Sequence, residues 1–245
     1  MMRVIAGRDD AKEAPRPPPC PARRAAARAT SIKRLEMPYS LPAFPIPAAL
    51  ISGPPLVVLD ACILMSSVLR PLMLDLASRG AYAPVWSARI GAEWTRNAAR
   101  IWQCDIALVQ ADWQAMQTRF PTADAGDVAA YEAGLRYSDP KDRHVIAAGL
   151  AQRARHAGPQ LPATAVLTWN LKDFNRPEMR RMGMDAYGPD RLLSHWWHED
   201  PLLLGESLHR TLAQLVANGR EPEPLERTLQ RERLHRLRAL VTQAG

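Results

Sequence analysis

Leu56-Val57-Val58-Leu59 follows Gly53-Pro54-Pro55 and stops at Asp60. A short branched apolar run between turn residues and a carboxylate reads as a buried strand. Ala163 to Thr168 repeats the form and stops at Trp169-Asn170, and Ala83-Pro84-Val85-Trp86 is a shorter run of the same kind. Helical patterns fill the intervals. Strands that alternate with helices return in the same direction, so the expected fold class is α/β with a short parallel sheet.

The helical intervals are read from apolar spacing. Residues 63–78 carry Ile63, Leu64, Val68, Leu69, Leu72, Met73 and Leu76 on one stripe, which predicts a single helix. Ser87 is placed to cap a helix with Ile90, Trp94, Ala98 and Ile101 inward. Ile106, Val109, Trp113 and Met116 predict a helix over 105–118, and 125–136 reads as another. Ser138-Asp139-Pro140 opens a helix expected to run to about 156. Past 190 no further strand is read. Leu202–Leu215 and Leu225–Val241 form an expected helical hairpin, parted by Gly219 and Pro222-Glu223-Pro224. The expected domains are a Pro/Ala/Arg-rich tail over 1–54, an α/β domain over 55–190 and a helical extension over 191–245. The tail buries too little apolar area to offset its ordering entropy and is expected to be disordered.

Charge separates the tail from the rest. Of the chain's net +7, residues 1–36 hold +5, from nine Arg or Lys against four acids. The basicity is therefore mostly a tail property and weak evidence for a nucleic-acid surface on the folded part. Apolar runs such as Leu202–Leu204 fall far short of the ~20 residues that span a bilayer. The basic N-terminus lacks the apolar stretch of a secretory signal. Cys20, Cys62 and Cys104 have neither metal spacing nor an even count. These features lead to the expectation of reduced thiols, a cytoplasmic protein and no membrane.

Five acids sit where apolar segments end: Asp60, Glu93, Asp139, Asp142 and Asp173. In a parallel sheet, ligands bind outside the carboxyl ends of the strands. The intervals of 33, 46, 3 and 31 residues each leave room to return to that edge. Each acid also has a plainer reading. Asp60 opens a turn, Glu93 is solvated, and Asp173 makes an Asx turn. Asp139 before Pro140 with Asp142 at the third position is good helix-start chemistry. His144 on its apolar helix reads as a packed core residue, and Cys62 as a small buried thiol.

Four stretches together resemble the motifs of PIN-domain nucleases, and within them the VapC-type toxins of bacterial toxin–antitoxin pairs. They are Leu59-Asp60-Ala61-Cys62, Glu93-Trp94-x-Arg96-Asn97, Asp139-Pro140-x-Asp142-Arg143-His144-Val145-Ile146-Ala147-Ala148 and Thr168-Trp169-Asn170-Leu171-Lys172-Asp173-Phe174. The resemblance spans about residues 56–190, and the C-terminal helices resemble an extension seen in one group of these toxins. It implies a three-layer α/β/α sandwich and a Mg²⁺- or Mn²⁺-dependent endoribonuclease. Asp60, Glu93, Asp142 and Asp173 match the acidic positions, with Asp60 and Asp142 as the foremost metal ligands. Asp139 matches an additional acid of the subgroup. The Ala-Ala pair falls one residue later than in the commonest toxin pattern, so the ligand role stays divided between Asp139 and Asp142.

Thr168 and Asn170 are candidates to contact substrate or to orient a water or a carboxylate. Arg96, Lys141, Arg143 and Lys172 are candidates for phosphate contact. The resemblance further implies an RNA substrate, a cognate antitoxin and a possible homodimer. A non-catalytic PIN-like binding module and a housekeeping RNA-processing nuclease are the alternatives. A haloacid-dehalogenase-like phosphatase would need a second aspartate where Cys62 stands, and no acidic pair precedes Asp60 as a receiver domain requires.

Overall fold

The computed structural model describes residues 56–155 and 162–244. The expected tail over 1–54 and the final residue of the helix expected to reach 156 lie outside the described residues. Four strands form one parallel sheet: β1 (Leu56–Leu59), β2 (Ala83–Val85), β3 (Thr164–Leu167) and β4 (Met184–Tyr187), in the order β2-β1-β3-β4. β1 pairs with β3 from Leu56 opposite Thr164 to Leu59 opposite Leu167. Both strands therefore end at the same edge, where Asp60 and Thr168 follow. The fold is α/β with an all-parallel sheet, compatible with three α/β/α layers.

The helices are α1 (Ala61–Leu64), α2 (Leu69–Ser78), α3 (Ala88–Trp102), α4 (Ile106–Arg119), α5 (Ala129–Glu132), α6 (Arg143–Ala154), α7 (Arg176–Arg181), α8 (Pro189–Glu199), α9 (Pro201–Ala217), α10 (Leu225–Arg231) and α11 (His235–Ala244). A 3-10 turn covers Leu171–Asp173. α6 lies directly on the sheet at Gly149. A Cβ there would run into Met184 and stand 3.0 Å from Val58 Cγ2. This close approach holds the N-terminus of α6, and Asp142 with it, at the edge where β1 and β3 end.

Several boundaries differ from the expectations, each for a local reason. The single helix over 63–78 is two, because Ser66 Oγ accepts from the amides of Val68 (3.1 Å) and Leu69 (2.8 Å) and starts α2 afresh. Ser87 does cap α3. The inward face of α3 is Ile90, Trp94, Ala98 and Trp102, whereas Ile101 is 45% exposed. Ile106 is also exposed. Of the helix expected over 125–136, only Ala129–Glu132 is helical. Before it Asp124 bridges Trp86, the residue after β2, with Ala125 N donating to Trp86 O. α6 starts at Arg143 rather than at Asp139.

β4 is a strand the sequence reading lacked. Met184-Asp185-Ala186-Tyr187 has no β-branched residue, and as an edge strand it buries only alternate residues. The hairpin past 190 is four helices. α8 crosses the expected boundary at 190, and Arg233, in the left-handed region at φ 58°, separates α10 from α11. Leu229, Leu234 and Leu237 are fully buried in the same apolar core as the strands. Each such burial contributes about 2 kcal/mol. Trp196 of α8 stacks on Tyr82, with ring centres 5.4 Å apart. The extension is thus continuous with the α/β core. Among the described residues no helix is long and apolar enough to cross a membrane.

Candidate functional site

Asp60 leaves β1 at the sheet edge and is only 4% exposed. Its backbone occupies the N-cap position of α1, but its carboxylate makes no cap hydrogen bond. Instead Oδ2 accepts from Thr168 Oγ1 at 2.6 Å and from Cys62 Sγ at 3.1 Å. Thr168 at the neighbouring strand end and Cys62 in the first turn of α1 thus fix the carboxylate, which argues against a simple turn aspartate. Thr168 is fully buried, and its Oγ1 also accepts from Asn170 N at 3.0 Å. It therefore positions Asp60 and shapes the following loop. Orienting a carboxylate is among the roles expected of Thr168, and its bond to Asp60 fills that role, whereas Asn170 is exposed at the rim.

Cys62 belongs to this arrangement more closely than its sequence suggested. Its sulfur accepts from Trp169 N at 3.3 Å while the thiol proton points to Asp60. Burial, then the Asp60 charge, pushes the thiol pKa up to about 12. Cys62 therefore remains a protonated donor to the carboxylate, with no thiolate available as a nucleophile.

Asp142 occupies the N-cap position of α6 with its carboxylate uncommitted to any cap bond. Burial first, then the charges of Asp60, Asp173, Asp139 and Glu93, raise its pKa from 3.8 to about 6. Helix N-termini ordinarily favour a carboxylate. The upward displacement means desolvation and like-charge repulsion outweigh that help. The other four candidate acids thus all act at the Asp142 carboxyl. Asp139 is differently employed. Its Oδ1 accepts from Lys141 N at 2.9 Å, closing an Asx-type turn before α6. The N-cap position expected at Asp139 falls at Asp142, with no side-chain cap bond.

Glu93, from α3, places Oε2 3.5 Å from His144 Nε2, a contact too long for a well-formed hydrogen bond. The His144 contact lowers the Glu93 pKa against the opposing effect of partial burial. His144 is almost fully buried, as its sequence suggested, yet it faces the acid cluster, and its Nδ1 has no hydrogen-bond partner among the described residues. It is a residue of the site that the sequence reading excluded.

The loop carrying Asp139 and Asp142 is tied to the loop carrying Asp173. Asp139 N donates to Asp173 O at 2.9 Å, and Asn175 N donates to Ser138 Oγ at 3.0 Å. Glu178, on α7, accepts from the amides of Arg136 (2.6 Å), Tyr137 (3.1 Å) and Ser138 (3.0 Å) and from Ser138 Oγ (2.9 Å). Burial works to raise the Glu178 pKa, but these bonds outweigh it and hold the carboxyl below its usual range. Glu178 is a positioning residue absent from the sequence reading. The only signal was Asn175 three residues before it, a capping pair whose glutamate turns to another loop.

The candidate cations divide. Arg143 spends its guanidinium on backbone, with Nε donating to Ser138 O (3.2 Å) and a terminal nitrogen to Arg136 O (3.0 Å). It braces the loop. Arg96, Lys141 and Lys172 are exposed around the cluster. A groove of about 650 Å³ beside β4, with Arg180, Asp185, Arg191 and His195, is separate from the acids.

The donor set is all carboxylate oxygen, the chemistry of Mg²⁺ or Mn²⁺ sites. The unspent carboxyl of Asp142 suits such an ion, which would offset the repulsion acting on it. Among the described residues no three His, Cys, Asp or Glu side chains close on a common point at coordination distance. The fit is therefore one of donor chemistry and charge. Comparisons with protein-family models, curated proteins and solved structures give no match.

Proposed function

We propose that this protein is a metal-dependent endoribonuclease of the PIN-domain kind, acting as the toxin of a toxin–antitoxin pair. The observation that carries the reading is the Asp142 carboxyl, pushed to about 6 by burial and by four other acids drawn from separate parts of the chain. Bringing five carboxylates together opposes stability, and a divalent cation with a phosphodiester gives that concentration of charge a use. Asp60 and Asp142 would hold Mg²⁺ or Mn²⁺, with Glu93, Asp173 and Asp139 near it. The ion, when bound, supplies Lewis acidity and a more acidic bound water. Thr168 and Cys62 fix the direction of the Asp60 carboxylate, and Glu178 fixes the Asp142 loop. Glu93, held ionised beside His144, is the group suited to accept a proton from water. Exposed Asn170, Arg96 and Lys172 stand where phosphates approach.

One observation favours a second reading, a PIN-like module that binds RNA or protein without turnover: among the described residues no three acids close on one point. Incubation of a labelled single-stranded RNA with Mn²⁺, with and without EDTA, separates the two. The nuclease reading expects cleavage that EDTA stops and that Asp60→Asn abolishes while the protein stays folded. Binding without cleavage supports the module. An antitoxin, a homodimer and a cytoplasmic setting are expectations of the toxin reading, for which a small DNA-binding protein encoded immediately upstream is the test.

A further inference from the structure

The α10–α11 turn is held to the working edge of the sheet at two points. At one end, Ser66 Oγ donates to Glu232 Oε2 at 2.6 Å, and Ser66 lies just beyond α1, which Asp60 begins. At the other end, Asp190 crosses over to cap α11, accepting from Arg236 N (3.0 Å) and Leu237 N (3.1 Å). Asp190 opens α8 two residues after Gly188. A Cβ on Gly188 would stand 3.6 Å from Leu171 Cδ1 and 4.0 Å from Thr168 O. The turn therefore spans from the loop after β1 to the loop after β4, beside the Thr168–Asp173 segment.

What the turn presents is positive. Arg227, Arg233, His235 and Arg236 are exposed, and none of the three arginines forms an ion pair with a described acid. Of the acids around the turn, Asp190 is bonded to the two amides, Glu232 to Ser66 in a mostly buried position and Glu223 to Thr228 and Arg231, while Glu226 is exposed and outnumbered by the exposed arginines. Arg233 holds a left-handed backbone at φ 58°, which breaks the helix between α10 and α11 and so sets where Arg233 and Arg236 project. An acid cluster repels a polyanion, so a strand that reaches it needs cations at the rim.

We propose that the α10–α11 turn is a phosphate-contacting rim that guides a single RNA strand to the acid cluster, with Arg233 and Arg236 as its main contacts. This rests on the nuclease reading. It gives the C-terminal helices a role in substrate binding beyond covering apolar surface.

The test measures affinity for a fluorescent single-stranded RNA by anisotropy across a KCl series, in EDTA so that nothing is cut. The proteins are the wild-type chain and Arg233→Asn/Arg236→Gln. Asn tolerates the left-handed backbone at 233, and unchanged melting behaviour confirms folding. Each phosphate contact contributes about 0.7 to the slope of log K against log salt for a single strand, so losing two makes the slope shallower by about 1.4. Asp190→Ala, which keeps every arginine but frees α11, is expected to weaken binding as well. If the double variant binds with the wild-type slope, the rim is elsewhere and this inference falls while the nuclease reading stands. If the wild type binds no RNA at any salt, both fall. If the double variant keeps its RNA affinity but loses a co-purified protein, the surface serves a protein and the inference is overturned.

Discussion

Replacing Asp142 with asparagine is expected to stabilise the fold at neutral pH and to do so in a pH-dependent way. The carboxyl has a folded pKa of about 6 against 3.8 unfolded. For an acid displaced upward, the unfolded chain gives up its proton first. Wild-type stability is therefore full below about 4 and falls as pH rises through about 6. At about 1.4 kcal/mol per pH unit the whole displacement is worth about 3 kcal/mol. Asp142 is only half-buried, and solvent screens its repulsion, so about 1 kcal/mol is the figure to expect. For a domain of this size that moves Tm by about 3 °C. Asparagine is also a good N-cap, but that gain does not vary with pH. The assay is urea or thermal denaturation of both proteins from pH 4 to 8 in EDTA. The reasoning requires the variant's advantage to grow between pH 4 and 7. A gap that stays constant, or a variant less stable at pH 8, refutes it. Added Mn²⁺ is expected to raise the wild-type Tm and to narrow the gap.

Three other outcomes follow from the geometry. Thr168→Val leaves the buried Asp60 oxygen with only the weak thiol donor, and a hydrogen bond to a charged group is worth about 1.5–3 kcal/mol; urea midpoints at pH 7 check it. Glu178→Gln removes the charge that gathers the amides of 136–138. Because the Glu178 pKa is lowered, its contribution is present above 4.5 and fades as pH falls through the folded value. The wild-type advantage in a melting series should therefore shrink toward low pH. Gly149→Ala pushes α6 off Val58 and Met184, an overpacking that costs about 1–3 kcal/mol and that shifts Asp142 along with the helix. Near-unchanged stability would mean that Met184 moves aside without loss.

The sheet edge was legible because β1 and β3 are uniformly buried runs whose ends are marked by Asp60 and Thr168. β4 was not, since its signal is alternate burial of Met184 and Ala186 in an edge position. The five acids were legible as segment-end residues, and their mutual influence at Asp142 supports gathering them. What the sequence hid was which acids are already employed. Asp139 is committed to a turn by an amide two residues away, a contact that looks like helix capping until α6 is seen to begin at Arg143. His144 and Glu178 draw their roles from partners 51 and 40 positions away, Glu93 and Ser138, and Cys62 joins Asp60 beside it to Thr168 and Trp169, 106 and 107 positions on. Residue type alone gives no sign of such partners. Arg143 and Thr168 show the reverse, residues of suggestive type and place whose polar atoms serve the protein itself.

The central claim is that Asp142, with Asp60, works in a metal-dependent ribonuclease while Asp139 supports the loop. Single-turnover cleavage of a labelled RNA with Mn²⁺ by Asp142→Asn and Asp139→Asn, each shown to be folded, tests it most directly. The account predicts that Asp142→Asn loses cleavage, that Asp139→Asn keeps most of it, and that EDTA silences the wild type. Equal cleavage by Asp142→Asn and wild type, or a wild-type rate that survives EDTA, would contradict it.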